Sequence, residues 1–115
     1  MPDRATPESS YAALIEVFEA EPDVSPPSAA VGHARGFGAD ALKIDGRIFA
    51  MLAHGRLVVK LPQTRVDELL EAGLGERFDP GHGRLMKEWL SVHEGHEDEW
   101  ETFTREALLY ARRPR

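Results

Sequence analysis

Between Ala41 and Pro62 the chain reads ALKIDGRIFAMLAHGRLVVKLP, and the pairs Asp45-Gly46 and His54-Gly55 constrain its fold more than any other feature. Each pair ends in glycine and separates two short apolar runs, the pattern of a two-residue hairpin turn with positive φ at its centre. Two such turns in succession require three antiparallel strands, over ALKI, RIFAMLA and RLVVKLP. Side chains alternate between faces along a strand. Leu42 and Ile44, then Ile48, Ala50 and Leu52, then Leu57, Val59 and Leu61 are therefore expected on a core face. Lys43, Arg47, Phe49, Met51, Arg56, Val58 and Lys60 fall on the other side, which reads as a wet face mixing charges with apolar groups.

Helical periodicity flanks this sheet. Tyr11, Leu14, Ile15 and Phe18 recur at i, i+3, i+4 and i+7, which predicts a helix over residues 7–21. Thr6 is placed to cap it, Pro7 suits its first position, and Glu8 favours its positive end. Residues 22–38, rich in Pro, Gly, Ser and Ala, read as an extended connection, part of which is free to form an edge strand. After Pro62, TRVDELLEAG predicts a short helix with Thr64 and Asp67 at capping-box spacing and Gly73 as its stop. LGERFDPGHG reads as a turn-rich loop and RLMKEWLSV as a strand whose register is open, since Leu85/Trp89 and Met86/Leu90/Val92 are both apolar sets. A last helix is expected over residues 97–113, packing through Trp100, Phe103, Thr104, Ala107, Leu108 and Ala111.

Hairpins pair antiparallel, and amphipathic helices must cover one face of the sheet, so the expected class is α+β: a two-layer sandwich with helices packed on one face. At 115 residues the chain is read as one domain, 1–115, with residues 1–6 expected to be flexible. It contains no cysteine, which excludes disulfides, thiol catalysis, Fe–S clusters and Cys-type zinc sites. No apolar run approaches the roughly 18 residues that span a bilayer, and the polar start MPDRATPESS lacks a signal peptide's apolar stretch. The cytoplasm is the default expectation, with no membrane partner.

Two groups of motifs carry a family resemblance. KIDGRIFAML followed by GRLVVKLP, and FDPGHGRLMKEWLSV followed by a helix containing REALLYARR, resemble the MmcQ/YjbR family and the related N-terminal domain of the TfoX/Sxy competence regulators. The resemblance runs from about Gly36 to Arg112 and includes the order of elements. It implies a helix-flanked antiparallel sheet of the secretion-chaperone-like kind, and a DNA-binding or regulatory role without catalysis. A second domain of the TfoX kind is not expected, so the competence role itself is not carried over.

Charge bears on that role. The net charge is -6, yet residues 31–65 hold six basic residues against two acidic ones. Lys43, Arg47, Arg56 and Lys60, with Phe49 among them, could set cations against phosphates beside a stacking ring. The same charges also serve a sheet that must stay wet and avoid edge-to-edge aggregation. In FDPGHGRLMKEW, Gly81 and Gly83 permit positive φ around His82, and Arg84 and Lys87 extend the cationic set. The binding residues expected are thus Lys43, Arg47, Phe49, Arg56, Lys60, Arg84 and Lys87, with DNA or another protein as partner. An exposed Phe49–Met51–Val58 patch would add a homodimer.

A different class of function, a small-ligand pocket between the sheet and the Pro/Gly-rich connection, would be roofed by Phe37, Trp89 and Trp100. HEGHEDE brings His93 and His96 near Glu94, Glu97 and Asp98 but supplies no third histidine and is not HExxH, so an acidic helix start explains it and no metal is expected. GHARGFG lacks the lysine and hydroxyl of a phosphate loop. No GxSxG elbow or oriented carboxylate pair appears, so neither a catalytic residue nor a cofactor is expected.

Overall fold

A computed structural model describes residues 6–25, 41–79 and 86–112. The elements are α1 (Pro7–Phe18), β1 (Val24–Ser25), β2 (Leu42–Ile44), β3 (Arg47–Ala53), β4 (Arg56–Lys60), α2 (Gln63–Glu71), β5 (Gly75–Phe78), β6 (Met86–Val92) and α3 (Trp100–Arg112), with a 3₁₀ turn over Glu97–Glu99 leading into α3. The strands form one antiparallel sheet in the order β1-β2-β3-β4-β6-β5. The expected α+β class is the class observed.

Both hairpin turns form as their sequences require. Asp45 and Gly46 have φ of 53° and 77°, and His54 and Gly55 have φ of 56° and 76°. Positive φ at both central residues suits the right-handed twist of the strands they join. Thr6 caps α1 reciprocally: its Oγ1 accepts from the Ser9 amide, and its own amide donates to Ser9 Oγ, both at 3.0 Å. The helix ends at Phe18, where its apolar stripe ends, three residues short of the expected end at residue 21. Residues 24 and 25 supply the edge strand foreseen in the Pro/Gly-rich connection, while residues 26–40 lie outside the described residues.

The main core lies between the sheet and the three helices. Tyr11, Leu14 and Phe18 of α1, Val66 and Leu69 of α2, and Trp100, Phe103, Ala107 and Leu108 of α3 pack on Leu42, Ile44, Leu57, Val59, Leu90 and Val92. This choice settles the register left open in β6: Leu90 and Val92 face the helices, and Trp89 joins the opposite face.

Three local expectations are corrected. The stretch Gly75–Phe78 is not loop but the edge strand β5, paired with β6. Gly75 is needed there, because a Cβ at that position would come within 2.5 Å of the Ser91 carbonyl oxygen. Helix α2 begins one residue earlier than its capping signal, at Gln63 after Pro62, so the Thr64/Asp67 box does not form and no side chain caps it.

The third correction matters most. Leu42 pairs with Ala50 but Lys43 pairs with Ile48, so Phe49 is an extra residue in β3, a β-bulge. Simple alternation fails at that point. Phe49 and Ala50 both enter the helix-side core, and Ile48 turns to the other face. The exchange places the larger aromatic group, only 1% exposed, beneath the helices. Burying a Phe is worth roughly 1.5–3 kcal/mol relative to leaving it exposed, which favours the bulge.

The second face is not simply wet. Ala41, Met51, Val58 and Phe78 are buried there as a smaller apolar cluster, with Ile48, Ala53 and Trp89 packed against it. The Phe49–Met51–Val58 patch proposed for a dimer is therefore absent as a surface: all three side chains are buried.

Candidate binding surface

The seven residues expected to bind a partner separate into distinct environments. Lys43 projects on the second face, since its neighbours Leu42 and Ile44 both enter the main core and its cross-strand partner Ile48 joins the second cluster. Lys60 lies on the same face, opposite Trp89 across the β4–β6 pair, with its Nζ 5.9 Å from the indole centroid. Such a contact is attractive because the ring face is electron-rich. Lys87 is exposed. Its neighbour Glu88 turns to the helix side, where it accepts from Tyr110 Oη of α3 at 3.1 Å, so Lys87 falls on the second face despite the register shift between β5 and β6 at this end. The β3–β4 pairing of Ala50 with Val59 puts Ile48 and Lys60 at the same end of the sheet. Lys43, Lys60 and Lys87 thus make a transverse row across three strands, with Lys43 and Lys60 roughly 10 Å apart by strand spacing.

Arg47, Phe49 and Arg56 leave the expected strip. The bulge sends Arg47 to the helix side, where Nη2 donates to the Ala111 carbonyl of α3 at 3.2 Å. Phe49 is core and presents no face to a base. Arg56 remains on the second face, at the opposite end from the lysine row, but is neutralised: its Nη1 meets Glu76 at 2.6 Å and its Nε meets Glu94 at 3.1 Å. Arg84 lies outside the described residues, as do His82 and its flanking glycines.

The contrast between lysine and arginine is general among the described residues. Arg65 donates to both oxygens of Glu106 and to Glu68. Arg77 pairs with Asp67, Arg105 with Glu21 and Glu101, and Arg112 with Glu21 and Asp23. Each is a carboxylate contact that pins one element to another or braces a helix turn. Their consequences show in the titrating groups. The Glu94 and Glu76 carboxylates hold the Arg56 guanidinium more firmly charged than usual, and Arg56 in turn holds the Glu94 carboxyl below its usual range. Lys43, Lys60 and Lys87 form no ion pair with a described residue.

A cleft of about 680 Å³ opens at the far corner of the sheet, lined by His54, Arg56, Leu70, Glu76, Arg77, Phe78, Asp79, Ser91 and Glu94. It is not the pocket foreseen against the Pro/Gly-rich connection. Of the residues named for that pocket's roof, Phe37 lies outside the described residues, Trp100 is buried in the main core, and Trp89 packs on the second face. The cleft was not legible in sequence because three of its lining residues, Glu76, Arg77 and Phe78, come from β5, whose four residues place opposite charges side by side and show no apolar period.

Among the described residues, no three His, Cys, Asp or Glu side chains converge as a metal site, and no helix is long and apolar enough to cross a membrane. No family model, curated protein or solved structure matches the chain.

Proposed function

We propose that this protein is a non-catalytic binding module of the MmcQ/YjbR and TfoX N-terminal kind, working in the cytoplasm through the lysine row of its second sheet face. Its partner on this reading is nucleic acid, contacted at the phosphates. The supporting observation is the difference in pairing: every described arginine is engaged, whereas Lys43, Lys60 and Lys87 share one face with no described carboxylate on them. Lysines held free in an acidic protein are available to displace counterions from phosphates. Because Lys60 already lies over Trp89, the contact is electrostatic rather than base-stacking, and so independent of base sequence.

The test is a fluorescence-anisotropy titration with labelled single-stranded and duplex oligonucleotides at about 50 mM salt. Binding in the range of about 10⁻⁴–10⁻⁶ M is expected, with a logarithmic salt slope near −2 for single strands, as three phosphate contacts require. Lys43→Glu together with Lys60→Glu should abolish it while leaving the melting temperature unchanged. If the wild-type protein binds neither oligonucleotide, the nucleic-acid reading fails, and an acidic protein becomes the partner to seek.

A further inference from the structure

Lys60 differs from every other described lysine and arginine in how it is held. Its Nζ lies 5.9 Å from the centroid of Trp89, within reach of a cation–π contact. No carboxylate among the described residues pairs with it. Arg105 also lies over a ring, that of Phe18 at 4.9 Å, but Glu21 and Glu101 already pair with it. Among the described residues, Lys60 is thus the cation held by a ring face alone. The difference is chemical. A carboxylate that holds an ammonium also cancels its charge, whereas the quadrupole of a ring attracts the ammonium and leaves the charge whole.

The ring is itself fixed. Trp89 stands opposite Lys60 in the β4–β6 register, and its side chain packs on the cluster of Ala41, Met51, Val58 and Phe78. Beside that pair the Leu61 amide donates to the Glu88 carbonyl at 2.9 Å, and the Glu88 carboxylate accepts from Tyr110 Oη on the helix side at 3.1 Å. With Glu88 turned to the helices, Trp89 faces the other way, beneath Lys60. Lys43 and Lys87 rest on no ring among the described residues. A lysine side chain gives up much rotamer freedom when it engages a ligand. One that already rests on a ring has given up part of it beforehand, which is the gain of pre-organisation.

We propose that Trp89 is the positioning residue of the lysine row: its ring holds the Lys60 ammonium ready for a phosphate without neutralising it. This role rests on the nucleic-acid reading above. The test is an anisotropy titration with labelled oligothymidylate at about 50 mM salt, with melting temperatures confirming that each variant folds. Trp89→Leu keeps an apolar side chain on the cluster and should weaken binding about fivefold. Its logarithmic salt slope should stay at about −2, since all three lysines remain. Trp89→Phe restores a ring face and should bind within about twofold of wild type. Lys60→Gln should reduce the slope to about −1.4, and adding Trp89→Leu to it should change affinity by less than about twofold. Before any oligonucleotide is added, the ring current should move the Lys60 ε-methylene protons upfield of those of Lys43 and Lys87. Lys60 protons at the ordinary position would overturn the proposal without any substitution. So would Trp89→Leu that binds like wild type, Trp89→Phe that binds no better than Trp89→Leu, or an equal loss with and without Lys60. Wild-type protein that binds no oligonucleotide would instead overturn the nucleic-acid reading, and this role with it.

Discussion

Arg47 reaches the carbonyl oxygen of Ala111 at 3.2 Å, from the start of β3 to the last turn of α3, on the helix side of the sheet. Without the bulge at Phe49, alternation from the core residue Ala50 would put Arg47 on the opposite face. The bond joins segments 64 residues apart and meets a carbonyl at a helix C-terminus, where cations are favoured. It makes Arg47 part of the fold's bracing rather than part of the lysine row.

Arg47→Ala should therefore lower stability by up to about 1 kcal/mol, the scale of one exposed hydrogen bond, and leave oligonucleotide affinity within twofold of wild type. Thermal unfolding and the anisotropy titration read the two effects separately. Loss of binding with unchanged stability would return Arg47 to the interface.

The bulge makes a second distinction, between neighbours. Phe49→Ala should cost about 3–5 kcal/mol in urea unfolding, as for other fully buried aromatic residues. Ile48→Ala should cost less, because Ile48 is only partly buried against the smaller cluster. The reverse order would mean that β3 keeps strict alternation.

Thr104 is fully buried on α3, and its hydroxyl has no hydrogen-bond partner among the described residues. Thr104→Val preserves the shape of the side chain and removes the unsatisfied group, so it should be neutral or stabilising by about 1 kcal/mol. Destabilisation of that size would show that the hydroxyl is bonded in solution.

Acid sensitivity should centre on Arg112. Its guanidinium, hydrogen-bonded to Glu21 and Asp23, holds both carboxyls below their ordinary values of 4.5 and 3.8. A carboxyl whose pKa is lower folded than unfolded contributes stability that is present above the unfolded value and lost as pH falls through the folded one. The melting temperature should accordingly fall more steeply below pH 4.5 in wild type than in Arg112→Ala, and the two curves should converge at the acid end. Parallel curves would mean that the clamp does not form in solution.

Local signals in the chain determined much of this architecture. The Asp45-Gly46 and His54-Gly55 turns, the Thr6 cap and the apolar faces of α1 and α3 are each decided by residues within a few positions of one another. Short-range sterics and hydrogen bonds suffice for them, and so they can be read from sequence. The strip of basic residues could be seen there as well, but not its division into bracing arginines and free lysines. That division depends on which carboxylates arrive from elsewhere: Glu76 and Glu94 at Arg56, Glu106 at Arg65, Glu21 and Asp23 at Arg112.

Tertiary packing decided the rest. The four residues of β5 carry too little apolar pattern to announce a strand and become one only because β6 offers an edge to pair with. Phe49 and Ile48 exchange faces because the space under the helices favours the larger side chain, a preference that arises only after α1 and α3 have docked. The cleft beside Ser91 exists for the same reason: its walls come from β4, β5, β6 and α2, and no stretch of the chain contains them together. Turns and caps are local free-energy choices, whereas faces, ion-pair partners and cavities are set by contacts between segments distant in sequence.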